Sequence, residues 1–192
     1  MFAFQDMLSY EPVFIYMDSS VRVTSANVSD IFNQVLLNKG VVIFGFGGHT
    51  NARVTWPPMY TYLPTNISRQ STVKSSESTM VYMNTHENYE NFMRWHILCS
   101  LVKECIAPSD QIFCNFTAMP APHHVCHRYD MSALNLLLSN YHNFNWSAYY
   151  HSSRTQFRVM RTDNKLSEED KIRFNDLVIK RNSNSSSSYG IP

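Results

Sequence analysis

Asp18 follows directly on the apolar run Val13-Phe14-Ile15-Tyr16-Met17, with Ser19, Ser20 and Arg22 just after it. A carboxylate flanked by hydroxyls is a hard-oxygen donor set of the kind that holds magnesium or manganese on a diphosphate. Arg22 could pair with a phosphate or with Asp18. In the blander alternative Asp18 caps a turn and Arg22 is a surface cation. A second cluster, Cys126-His127-Arg128-Tyr129-Asp130, gathers five chemically capable side chains ahead of the apolar segment Met131-Ser132-Ala133-Leu134-Asn135. Asp130 and His127 are candidates for a reacting centre there, although an aspartate at a helix start is also a natural N-cap. His49 follows Gly47-Gly48 and could meet a substrate hydroxyl, or be an exposed loop histidine. Trp56, Tyr60 and Tyr62 could wall a sugar site or fill core. His123, His124 and His127 lack zinc spacing: the first two are adjacent in a proline-flanked loop, with no carboxylate suitably placed.

Other chemistries lack a signature. There is no Gly-x-Ser-x-Gly, no glycine-rich phosphate loop with lysine and no His-Glu-x-x-His. A net charge of +1 argues against a broad surface for nucleic acid or anionic membrane. With 44% hydrophobic and 16% charged residues, the chain has a globular composition. No apolar run reaches the roughly 18–20 residues that span a bilayer.

The elements that must position these residues follow from periodicity. Phe2 to Tyr10 reads as a helix ending at Glu11-Pro12. Val13–Met17 reads as a buried strand, Ser29 to Asn38 as a helix capped by Ser29 with Gly40 beyond it, and Val41–Phe44 as a second strand. Pro57 to Pro64 fits one helical turn, 65–79 is polar and loop-like, and Thr79 to Tyr82 is a short strand. Thr85 to about Ile106 reads as one helix, with Asn84 and Glu87 as an Asx capping box and Phe92, Trp95, Leu98, Cys99, Val102 and Ile106 inward. Asp130 to Tyr141 is a helix with Leu134, Leu137 and Leu138 inward. Gln156 to Arg161 alternates as a strand, Ser167 to Lys180 is an amphipathic helix, and Arg181 to Pro192 is a Ser/Asn-rich, disordered tail. Alternation of strand and helix implies an α/β layered fold. Ligands in such sheets bind beyond the C-terminal strand ends, which singles out Asp18–Arg22 and Gly45–His49.

Cys99, Cys105, Cys114 and Cys126, with five, eight and eleven residues between neighbours, fit two disulfides better than a zinc site. Three pairings are open. Sequons stand at Asn27, Asn66, Asn115, Asn145 and Asn184, though so Asn- and Ser-rich a chain generates some by chance. These features belong to the secretory pathway, yet Met1–Asp6 lacks the basic start of a signal peptide. The expectation is that a signal or anchor lies in an N-terminal portion outside this chain.

Three segments in order, "VFIYMDSSVR" (Val13–Arg22), "HTNARVTWPPMYTYLP" (His49–Pro64) and "CHRYDMSALNLLLSN" (Cys126–Asn140), resemble an animal family of nucleotide-diphospho-sugar transferases over about residues 5–162. The block Asp130–Asn135 is similar to the Asp-Gln-x-x-Leu-Asn block of the glycogenin-like glycosyltransferases. That resemblance implies a GT-A-like mixed sheet flanked by helices, incomplete at the N-terminus: residues 1–165 form the C-terminal part of the catalytic domain, 166–181 a helix and 182–192 a tail. It implies transfer of a sugar from a nucleotide diphosphate to a glycan or protein acceptor in the Golgi or ER lumen, with full-length relatives membrane-anchored. Asp18 matches the first aspartate of an Asp-x-Asp motif that holds a manganese or magnesium ion, with Ser20 and Arg22 beside the donor. Asp130 matches the aspartate near the reacting carbon, with His127 beside it; His49 and Tyr60 fall on the acceptor side. Two positions depart from the pattern. Ser20 replaces the second aspartate, and Met131 replaces a glutamine, removing a hydrogen-bonding group. Two alternatives stand beside the enzyme: a non-catalytic, carbohydrate-binding relative, and an unrelated disulfide-bonded secreted domain.

Overall fold

Residues 13–17, 41–44 and 79–83 are near-continuous apolar runs that form neighbouring strands; 41–44 and 79–82 are buried on both faces, whereas Val13–Met17, expected to be buried, leaves Tyr16 and Met17 exposed at its end. The computed structural model describes residues 11–25, 27–45, 48–75, 79–110, 112–116, 124–151 and 156–159. The chain divides into two units, Met1–Met160 and Arg161–Pro192, and all described residues lie in the first. The expected helices at Phe2–Tyr10 and Ser167–Lys180, the tail, His123 and Asn184 lie outside the described residues.

The main sheet has four strands in the order β1 (Val13–Met17), β4 (Thr79–Met83), β3 (Val41–Phe44) and β5 (Tyr150–His151). β4 is antiparallel to β1 and β3, while β5 runs parallel to β3. Met17 and Phe44 both face Thr79, and Phe44 also pairs with His151. The C-terminal ends of β1, β3 and β5 therefore share one rim. A two-stranded antiparallel ribbon joins β2 (Val21–Val23) to β6 (Phe157–Val159).

The strand period of two sorts side chains into two cores. One holds Phe14, Val41, Ile43, Met80 and Tyr82 against Phe92, Met93, Ala133, Leu136 and Leu138. The other holds Val42, Phe44 and Val81 against Ile31, Val35, Val21 and Phe157. Helix α1 (Ser29–Leu37) covers the second face. Its first turn is not capped by Ser29; the Asn27 carboxamide oxygen accepts from Ser29 N–H at 3.3 Å instead. Gly40 ends this unit at φ 78°, where a Cβ would stand 2.5 Å from Asn88 Nδ2. No larger residue fits that approach without displacing the Asn88 side chain.

The segment expected to be loop at 65–79 contains a further turn of helix. After α2 (Asn51–Val54) and α3 (Met59–Tyr62) comes α4 (Ile67–Gln70), capped by Asn66, whose side chain accepts from Arg69 N–H. The expected single helix from Thr85 to Ile106 is broken into four pieces: α5 (His86–Asn88), a π-helical segment (Tyr89–Met93), α6 (Arg94–Ser100) and α7 (Lys103–Ile106). Thr85, not Asn84, caps it, accepting from Asn88 N–H at 3.1 Å. The break at Leu101–Val102 has a geometric cause. Six residues of α-helix rise about 9 Å, beyond the separation that a disulfide tolerates. Cys99 and Cys105 are bridged with Cα atoms 5.2 Å apart, so the helix must turn between them. Trp95, Leu98 and Val102, expected inward, are exposed, and the inward face is Phe92, Met93, His96 and Cys99.

The second bridge joins Cys114 to Cys126, and helix α8 (Tyr129–Tyr141) follows it. Two disulfides suit an extracellular or secretory-lumen compartment. No helix among the described residues is long and apolar enough to cross a membrane. The pairing can be checked by digesting unreduced protein with trypsin and Asp-N, which cut after Lys103 and before Asp110. Peptide 95–103 should be found bonded to 104–109, with 110–128 internally closed; a species joining all three would refute this connectivity.

Candidate functional site

At the end of β1 the chain closes a tight turn, with Val21 N–H donating to Asp18 O at 2.9 Å. The Ser20 hydroxyl donates to Asp18 Oδ2 at 3.0 Å and Ser19 Oγ to Asp18 Oδ1 at 3.4 Å. Arg22 does not pair with Asp18. Its Nη1 donates to the carbonyls of Ser19 and Val21 at 2.8 and 3.0 Å, so it clamps the turn from behind. Asp18 itself is exposed.

The second aspartate is held by a different device. Tyr129 sits at φ 42°, an unfavourable left-handed conformation for a bulky side chain, and α8 starts from it. Such backbone persists only where its surroundings enforce it. Here Arg128 N–H donates to Val54 O at 3.1 Å and to Ser132 Oγ at 3.0 Å, and Ser132 in turn donates to Val54 O. His96, buried on α6, reaches the Asp130 carbonyl oxygen through Nε2 at 3.3 Å. Burial holds its pKa down, opposed by that bond and by the Asp130 charge. The exposed Asp130 carboxylate accepts from Met131 N–H at 2.9 Å.

Tyr16 connects the two ends. It lies on β1 two residues before Asp18, and its hydroxyl pKa is raised first by burial, then by the charges of Asp130 and Asp18. A single phenol thus feels both carboxylates, which come from residues 112 positions apart in the chain. Neither Tyr16 nor His96 stands out in the sequence as a site residue. Tyr16 reads as one more apolar strand position, and His96 falls on the buried stripe of Phe92 and Cys99.

His127 does not fit a reacting centre. It is fully buried; its Nδ1 accepts from Trp56 N–H at 3.1 Å and its Nε2 faces Ile106 O at 2.9 Å. That pattern requires the neutral Nε2–H tautomer and leaves no nitrogen for a ligand. Burial lowers its pKa. It bolts α7, the loop after α2 and the approach to α8 together. Tyr60 is likewise packed against the first core, and burial pushes its hydroxyl up to about 12. His49 stacks on Phe116 at 4.3 Å, and the Arg53 guanidinium lies 5.2 Å from the same ring. Trp56 meets the edge of His124 at 4.5 Å. Asn27, Asn66, Asn115 and Asn145 are all exposed.

Among the described residues no group of three His, Cys, Asp or Glu side chains could hold a metal ion. Asp18 supplies one carboxylate and Ser19 and Ser20 only neutral oxygens. Such a set fits an ion that arrives with phosphate oxygens of its own, not one bound by protein alone. Comparison with family models, curated proteins and solved structures returns no match. The likeness to sugar-nucleotide transferases rests on the quoted sequence segments.

Two outcomes follow. Truncating His127 to Ala should cost about 2–4 kcal/mol, because it empties a buried side-chain site and removes the partner of the half-buried Trp56 N–H and Ile106 O; equilibrium urea unfolding measures it. Acid should also weaken the fold. His142, buried against Tyr149, has its pKa lowered to about 4 by burial and by Lys39. Its unfolded value is about 6.5, so the unfolded chain gains a proton first as pH falls, and stability drops between about pH 6.5 and 4. The urea midpoint should be lower at pH 5 than at pH 7, and by less in His142→Phe, which keeps a ring there but cannot titrate.

Proposed function

We propose that this chain is a glycosyltransferase-like domain that takes a nucleotide-diphosphate sugar at the rim between β1 and α8 and serves a glycan or protein acceptor in the Golgi or ER lumen. The observation that carries the reading is the Tyr16 hydroxyl acted on by both Asp18 and Asp130. It supports a donor site in which one phenol lies within electrostatic reach of the two carboxylates that the resemblance assigns to the donor diphosphate and to the reacting carbon. Asp18 and Ser20 would hold a manganese or magnesium ion brought by the diphosphate. Such an ion would neutralise charge on the leaving diphosphate. Arg22 keeps the turn closed so that Asp18 points outward. His96 and the Tyr129 backbone fix the first turn of α8, so that Asp130 meets the sugar without having to be ordered.

A second reading, a carbohydrate-binding relative without catalysis, is favoured by the sequestered His127, by Ser20 and by Met131. Both readings need a sugar or nucleotide to bind the folded chain, and a ligand selective for the native state raises its melting temperature. The test is a thermal-shift titration of oxidised protein with manganese and a panel of nucleotide sugars. The transferase reading expects a rise that needs both metal and one nucleotide and is lost in Asp18→Ala. A rise with free oligosaccharide alone would move the assignment to the non-catalytic relative. No rise with either class, from a cooperatively folding sample, would sink both.

A further inference from the structure

Two of the sequons share a geometry. In Asn66-Ile67-Ser68 the Ser68 hydroxyl donates to Asn66 Oδ1 at 2.7 Å. In Asn145-Trp146-Ser147 the Ser147 hydroxyl donates to Asn145 Oδ1, also at 2.7 Å. All four of these side chains are exposed. Asn66 has a structural duty besides, because its Oδ1 accepts from Arg69 N–H at 3.2 Å and so caps α4. Every one of these contacts uses the amide oxygen. Among the described residues neither Nδ2 donates a hydrogen bond, so substitution at nitrogen would break nothing. At Asn27 the oxygen accepts from the Ser29 backbone instead, at the first residue of α1.

The two sites are also neighbours. Arg69, three residues after Asn66, donates from Nη1 to Asn143 Oδ1 at 3.1 Å and from Nη2 to Asn143 O at 2.9 Å. Its guanidinium lies 4.3 Å from the Phe144 ring, next to Asn145. The turn before α4 and the turn after α8 are thereby joined into one surface, with a sequon on each side of the Arg69 clamp.

We propose that Asn66 and Asn145 carry N-linked glycans, forming a sugar-covered face around Arg69. The donor class is a lipid-linked oligosaccharide diphosphate, delivered by the transferase of the cell that makes the protein. Asn Nδ2 bonds to C1 of the sugar and loses one proton. The lipid diphosphate leaves with the electron pair of the C1–oxygen bond, and nothing is oxidised or reduced. The carboxamide oxygen keeps both its serine contact and, at Asn66, its cap. This is independent of the donor-site reading, since it concerns sugar attached to the chain and not sugar transferred by it.

The test is expression of the full chain behind a cleavable secretion signal in cultured animal cells, with total lumenal and secreted protein collected. Glycan removal by peptide N-glycosidase in heavy-oxygen water converts each modified Asn to a labelled Asp. Trypsin then places Asn66 in peptide 54–69 and Asn145 in peptide 129–154, one sequon each. Both peptides should carry the label. Ser68→Ala should clear the first and Ser147→Ala the second, each leaving the other labelled; these exposed serines can be changed while both asparagines, and the Asn66 cap, remain. Unlabelled Asn66 and Asn145 beside a modified co-expressed control protein would overturn the proposal, as would label confined to Asn27 or Asn115.

Discussion

Helix α8 is anchored by polar groups buried out of reach of water, and the candidate site hangs from its first turn. Asn51 Nδ2 donates to Gln70 Oε1 at 2.9 Å and to Asn135 O at 3.3 Å. Gln70 Nε2 donates to Ser139 Oγ and Thr65 Oγ1 at 2.8 and 2.7 Å. Thr65 continues to Asn140. Asn51, Gln70 and Ser139 are almost wholly buried. Breaking one member would leave another donor or acceptor unsatisfied in a dry interior, at a cost of about 1–3 kcal/mol each. Such a seam fixes register more sharply than apolar packing, which tolerates sliding. It locks residues 51–70 onto α8, and from that lock follow the Val54 contacts that force Tyr129 into its strained conformation and aim Asp130.

The same logic reorders the histidines. A His between Cys and Arg beside an apolar helix invites a catalytic role, yet His127 serves as a two-ended backbone tie. His96, embedded in a helical stripe, is the one that touches the backbone of Asp130. Burial keeps both neutral, which suits parts that must hold geometry rather than exchange protons at neutral pH.

Much of the fold was legible because it rests on local periodicity. The apolar runs at 13–17 and 41–44 fitted strands, although the first is buried only in part, and Gly40 marked the end of α1. The 65–79 segment looked like loop because α4 is one turn long, capped by Asn66, and carries no apolar stripe. The long helix from Thr85 failed for a reason already in the chain: cysteines six apart cannot bridge across continuous helix, but their partners could not be assigned from spacing. At the site, Asp18 and Asp130 were visible from their settings at a strand end and a helix start. Tyr16 was not, because only the third dimension brings a strand position within reach of the charge of two carboxylates distant in the chain.

The two cross-links close short loops, spanning sequence separations of 6 and 12. By chain entropy they are worth about 2 and 3 kcal/mol. Their sum rivals the low end of the whole stability of a domain, about 5 kcal/mol. For this polypeptide the oxidising power of its surroundings is therefore a term in the folding equilibrium itself. Electron supply, as much as temperature or denaturant, is a coordinate along which the native state can be gained or lost.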